Sequence, residues 1–99
     1  MSYIVTVRGK LKGEPEDMKK LHDQVTAVSK DSAMTAGDTG HKVFLNPEDK
    51  KDFLGMDEWA TMDAFQKFSA DPKIQEFFGQ LFDGQPEVKV RENPGWNQW

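Results

Sequence analysis

His22 and His41 are the only side chains in this 99-residue sequence whose ordinary pKa places proton transfer near neutral pH. His22 directly follows Leu21 at the border of a helical apolar stripe, where an imidazole can look into a cleft between helix and sheet. In that place it is the candidate catalytic base for a phenol or an enol. The plainer alternative is a boundary histidine without chemistry. His41 opens a strand on the side of Val43 and Leu45, so its ring either reaches the mouth of the same cleft or merely caps the strand. No H-x-x-x-H or H-x-E spacing joins them, and no metal site is expected. Asp57 and Glu58 are neighbours in a strand and point to opposite faces, which excludes a carboxylate pair but leaves each as a single base. Arg8 can hold an anionic group or an inter-subunit carboxylate, or be an ordinary surface arginine.

Aromatic residues cluster in the second half of the chain. Trp59, Phe65, Phe68, Phe77, Phe78 and Phe82 are enough to line a flat apolar pocket, and they are also what the core of a small domain needs. Of these, Trp59, Phe65, Phe68 and Phe78, together with His41, are the candidate substrate-binding residues for a small apolar molecule. The sequence has no cysteine, which removes thiol catalysis, disulfides and thiolate metal sites. It also lacks a G-x-G-x-x-G turn, a Walker loop or a nucleophile elbow, so no cofactor is expected. A net charge of −4, with Lys19-Lys20 and Lys50-Lys51 both flanked by acids, speaks against a nucleic-acid partner. No apolar run approaches the roughly 20 residues that cross a bilayer, and MSYIVTVRGK has no leader-like pattern. The expectation is a cytoplasmic protein without membrane contact.

The elements that must position these groups follow from periodicity. Tyr3 to Arg8 alternates as a strand, and GKLKGE turns it. Pro15 and the acids Glu16 and Asp17 start a helix whose buried stripe is Met18, Leu21, Val25 and Val28, running to about Ser32. TAGDTG, Thr35 to Gly40, reads as a loop. His41 to Leu45 and Phe53 to Trp59 form a hairpin around NPEDKKD. Thr61 or its predecessor caps a helix carrying Met62, Phe65 and Phe68. Asp71-Pro72 restarts a helix with Ile74, Phe77, Phe78, Leu81 and Phe82 on one face, ended by Gly84 and Pro86. Glu87 to Arg91 is the last strand.

The order β-α-β-β-α-α-β predicts an α+β fold, a ferredoxin-like split βαβ with an antiparallel sheet and its helices on one side. Residues 1–99 are expected to form a single domain, with 93–99 as a C-terminal arm. Ile4, Val43, Phe44, Leu45, Leu54, Met56, Val88 and Val90 make the strands apolar in both directions, whereas helices cover only one face. A second copy is the simplest cover for the other face, so a homodimer is expected. Trp96 and Trp99 in the tail ENPGWNQW either lie on the neighbouring subunit or fold back on their own helices.

The stretch DEWATMDAFQKFSADPKIQEFF, from Asp57 to Phe78, resembles the antibiotic-biosynthesis-monooxygenase-like proteins of the dimeric α+β barrel superfamily. There a strand ends in an aromatic residue and is followed by an x-x-x-A-F helix and a D-P-x helix. The resemblance runs from Tyr3 to Val90 and implies a dimeric α+β barrel. Its members include cofactor-independent monooxygenases, haem-degrading enzymes and proteins of unknown role. In the haem-degrading members an Asn on the first strand, a Trp on the second helix and a His near the end of the next helix are functional. Phe68 stands at the Trp position, Phe78 at the His position, and the first strand has no Asn, so haem degradation is not expected. What remains is a cofactor-independent monooxygenase acting on an aromatic or polyketide-like molecule, a non-catalytic binding or stress-related module, or a structural subunit of a larger assembly.

Overall fold

The computed structural model describes residues 1–99. The elements are β1 (Ser2–Leu11), α1 (Pro15–Ala36), β2 (Asp38–Asn46), β3 (Asp49–Trp59), α2 (Met62–Ser69), α3 (Pro72–Leu81) and β4 (Phe82–Asn93). The strands form one antiparallel sheet in the order β2-β3-β1-β4, and the fold is the expected ferredoxin-like α+β arrangement. No helix is long and apolar enough to cross a membrane.

Every expected element is present, but most boundaries lie further out. Helix α1 continues past Ser32 to Ala36 because Gly37 is the first residue able to end it. At φ 125° the N–H of Gly37 donates back to the carbonyls of Ala33 and Met34. TAGDTG is therefore not a loop: Thr35 and Ala36 close the helix, and Asp38 to Gly40 already belong to β2. The NPEDKKD turn shrinks to Pro47 and Glu48, where the Asn46 side chain accepts the Glu48 N–H at 2.9 Å. Helix α3 stops at Leu81, before Gly84. Phe82 takes an extended conformation and pairs with Leu11, and Gly84 to Pro86 fall in an irregularity of β4 opposite Gly9.

The capping signals act as expected. Thr61 accepts the Ala64 N–H at 3.1 Å and Asp71 accepts the Lys73 N–H at 2.9 Å, with Pro72 opening α3. Leu11, Phe53, Phe77, Leu81 and Phe82 are buried together, with Val7, Met18, Leu21, Val25 and Phe78 packed against them. Val28 departs from the expected stripe and is 87% exposed. At about 100° per residue the inward line of α1 runs through Leu21, His22, Val25, Ser29 and Ala33, all half-buried, and leaves Val28 on the flank.

Directly paired residues share a sheet face, so the register sorts the side chains. His41, Asp57, Val5 and Val90 form one row across the sheet, and Val43, Gly55, Val7 and Val88 the next, both on the helix side. Ile4, Phe44, Leu54 and Met56 lie on the opposite side, as the two-way apolar pattern of the strands requires. On that outer side Arg8 grips Asp52 through two hydrogen bonds of 3.0 and 2.9 Å, so it points away from the helices. Beyond β4, Asn93 accepts the Gly95 N–H at 3.1 Å and turns the chain. Trp96 is 79% exposed and Trp99 fully so, and neither folds back on the helices of its own chain.

A histidine pair on the wall of an apolar cavity

Helix α1 contributes no fully buried residue because it stands off the sheet, and a cavity of about 830 Å³ lies beneath it. Val5, Val7 and Gly55 provide its floor, and Phe77 and Phe78 of α3 one wall. Gly55 matters there because its missing side chain keeps the floor low between the valines and the Phe53 ring. The sequence candidates His22, His41, Trp59, Phe65, Phe68 and Phe78 all line this space, whereas Phe82 lies in the core against Phe53 and Phe78. Trp59, the end of β3, packs on Phe68 and Phe65 of α2 at centroid distances of 5.1 and 6.2 Å.

The two histidines meet. His22 Nε2 lies 2.9 Å from His41 Nε2, with the rings inclined by only 16°. His22 is the more enclosed, its side chain 13% exposed and its ring facing Phe53 and Phe77. His41 sits at the opening and is held by Asp57, directly opposite it on β3, through a 2.7 Å contact from Nδ1 to Oδ1. A 2.9 Å approach of two imidazole nitrogens requires one proton between them, donated by one ring to the lone pair of the other.

Behind this pair are three carboxylates. Asp23, exposed on α1, meets His22 Nδ1 at 3.1 Å and Lys19 at 2.7 Å, and the hydrogen bonds from Lys19 and then His22 hold it below the usual carboxylate range. Asp38 is buried at 7% exposure and accepts the Gly40 N–H at 3.0 Å. Burial first, and then the hydrogen bond and charge of Asp57, push Asp38 up to about 7. Burial works to raise Asp57 as well, but hydrogen bonds from His41 and Asp38 outweigh it and keep Asp57 ionised below the usual range. The hydrogen bond to Asp57 raises His41 against the opposing effect of burial. The result is a continuous line from α1 through β2 to β3: Asp23, His22, His41, Asp57, Asp38.

Neither Asp38 nor the Asp57–His41 pairing stands out in the sequence. A two-residue turn at Pro47 and Glu48 sets Asn46 opposite Asp49, and only the register shift after Leu45 brings His41 opposite Asp57. A second shift between Asp38 and Gly40 turns Asp38 inward. Alternation alone reports neither.

A four-stranded antiparallel sheet with helices on one face and a site between the layers defines a ferredoxin-like α+β protein. The chain belongs to the antibiotic biosynthesis monooxygenase family, whose model matches residues 4–80. No curated protein matches the sequence. Among solved structures it is similar to a mutant of SnoaB, a cofactor-independent oxygenase from Streptomyces nogalater, at 15% identity and TM-score 0.75, covering 96% of this chain and 95% of that one. It is also similar to a protein from Bordetella bronchiseptica that carries the family's name, at 18% identity and TM-score 0.75, covering 93% and 96%. A conserved protein from Methanosarcina mazei aligns at 13% identity and TM-score 0.69, covering 92% and 91%. At these identities the likeness is one of fold.

Proposed function

We propose that this protein is a cofactor-independent monooxygenase that oxidises an electron-rich aromatic or polyketide-like molecule bound in the cavity. The observation that carries the proposal is the contact of His22 with His41 on the wall of a largely apolar chamber large enough for such a ligand. His22 is the base. It takes a proton from an acidic phenol, enol or benzylic carbon, and His41, supported by Asp57, stabilises the resulting charge. Trp59, Phe65, Phe68 and Phe78 hold the ring system and exclude water. The carbanion gives one electron to dioxygen, the pair recombines to form a C–O bond, and the peroxide regains a proton. Loss of water across the O–O bond and the remaining C–H leaves a carbonyl, so that a ring methylene and dioxygen become a ketone and water.

Oxygen uptake with a panel of anthrones and quinols tests this. Uptake is expected, and His22→Ala is expected to lower it by about 10²-fold or more, the usual weight of a positioned base. If the panel binds without uptake, the protein is a binding module; if it neither binds nor consumes oxygen, the cavity reading fails.

We also propose that the protein works as a homodimer. Ile4, Phe44, Leu54 and Met56 form an apolar strip on the sheet face opposite the helices, with Phe44 half exposed, and a second copy of the same strip matches it in kind and shape. Trp96 and Trp99, bare on their own chain, are assigned to the neighbouring subunit.

A further inference from the structure

Both histidines have their Nδ1 atoms committed to carboxylates. His22 Nδ1 meets Asp23, which Lys19 also holds, at 3.1 Å, and His41 Nδ1 meets Asp57 at 2.7 Å. A carboxylic acid is a stronger acid than an imidazolium, so in each contact the ring carries the hydrogen and the carboxylate accepts it. Each ring is then left with a lone pair on Nε2, and these two atoms face each other at 2.9 Å. Two lone pairs at that distance repel. One further proton between them turns the repulsion into a charge-assisted hydrogen bond, with its positive charge lying between Asp23 at one end and Asp57 at the other.

The same contact is the only side-chain hydrogen bond from α1 to another element, since those of Lys19, Thr26, Ser29 and Ser32, like that between His22 and Asp23, stay within the helix. Helix α1 has no fully buried residue, and both rings line the cavity that it spans. We infer that the base of the site is the histidine pair rather than His22 alone: the two Nε2 atoms form one acceptor that takes a single proton, holds it between them and so draws α1 onto the sheet at the cavity mouth. His41 is thereby a second catalytic residue. Without the proton the rings part, and the hydroxyl of a phenol or enol in the cavity is the donor that fits between the two lone pairs. It gives its proton to one Nε2 and remains as the anion, and the other ring closes on the new N–H. A second proton makes both rings cations and parts them again. The charged groups around the pair are Lys19, Asp23 and Lys30 from α1, Asp38 from β2 and Asp57 from β3, while β3 and α3 also present the Phe53 and Phe77 rings. The one-proton pair rests on the reading of His22 as the base, but it is observable without ligand or turnover.

The experiment is histidine 15N and 1H NMR on the intact protein across a pH series, with ligand absent. The two rings are expected to titrate together in two steps separated by about a unit or more. Between the steps both Nδ1 atoms are expected as N–H, with one strongly downfield proton coupled to both Nε2 atoms and with ring-to-ring NOEs. Those NOEs are expected to be lost above the upper step and below the lower one. In His41→Gln the intermediate plateau and the shared proton are expected to disappear, leaving His22 to titrate in one step with its Nδ1–H kept. Either ring found in the wild-type protein as Nε2–H with a proton-free Nδ1 overturns the inference, even if the glutamine variant fails to fold. Two independent one-step titrations overturn it equally, as do ring-to-ring NOEs that survive loss of the shared proton. An absence of oxygen uptake alongside the shared proton sinks the enzyme reading and leaves the one-proton pair standing; uptake without it does the reverse.

Discussion

Asp38 carries the clearest pH signature of any single residue. Its carboxyl is raised from 3.8 to about 7 in the folded protein, so the folded chain binds a proton that the unfolded chain releases. The sign follows by linkage: with fewer protons on the unfolded state, the contribution of Asp38 to stability falls as pH rises from 3.8 to about 7. His41, raised by Asp57, adds a loss as pH passes above its own range, while Asp57, lowered, contributes stability that disappears only in acid. Asparagine at position 38 has no proton to lose. Urea denaturation of Asp38→Asn against wild type is therefore expected to show the variant gaining relative stability between about pH 4 and 7, with the two nearest at the acid end. A constant difference across that range would remove the buried-acid account of Asp38.

At the scale of elements, the end of α1 decides where that acid goes. Gly37 stops the helix at φ 125° and its carbonyl accepts the Ala60 N–H at 2.8 Å, which ties the start of β2 to the end of β3. Asp38 is inward because the chain enters the sheet there and then shifts register before Gly40. A Cβ at Gly37 would find ordinary contact with Ala64 and Ala60, so space is not the obstacle. The backbone angle is, and Gly37→Ala is expected to cost about 1–2 kcal/mol in chemical denaturation. The same variant is expected to disturb the His41 resonances, since helix end, bulge and acid are consecutive. If stability drops with His41 unchanged, the helix end and the site are independent.

The whole molecule has two sheet faces and one helical layer. The cavity occupies one side and the apolar strip of Ile4, Phe44, Leu54 and Met56 the other, so assembly and chemistry are separable by mutation. Phe44→Glu places a charge in the centre of the strip and is expected to turn a sedimenting dimer into a monomer, with cavity binding kept. Deletion of the residues after Pro94 is expected to weaken the dimer constant without abolishing it. A Phe44→Glu protein that sediments as wild type would show that the copies, if they pair, do so elsewhere. Continued growth of the species with concentration would favour an open assembly over a closed pair.

The apolar periods, the proline and acid starts of the helices and the cap at Asp71 were sufficient to order the seven elements, because each is a local preference of adjacent residues. They also placed His22 at the edge of a buried stripe and His41 on the Val43 and Leu45 side of a strand. The outer boundaries were less legible: TAGDTG has loop composition but is divided between a helix end and a strand start, and Val28 keeps the spacing of the stripe while facing water. The proton line itself, His22 to His41 to Asp57 to Asp38, came only from tertiary structure. All three of its links are cross-strand or helix-to-strand contacts, and the two that reach Asp57 depend on register shifts that change which residues face each other without changing the alternation pattern. Local sequence determined which groups were available for chemistry; the register of β2 on β3 and the stand-off of α1 decided which of them share a proton.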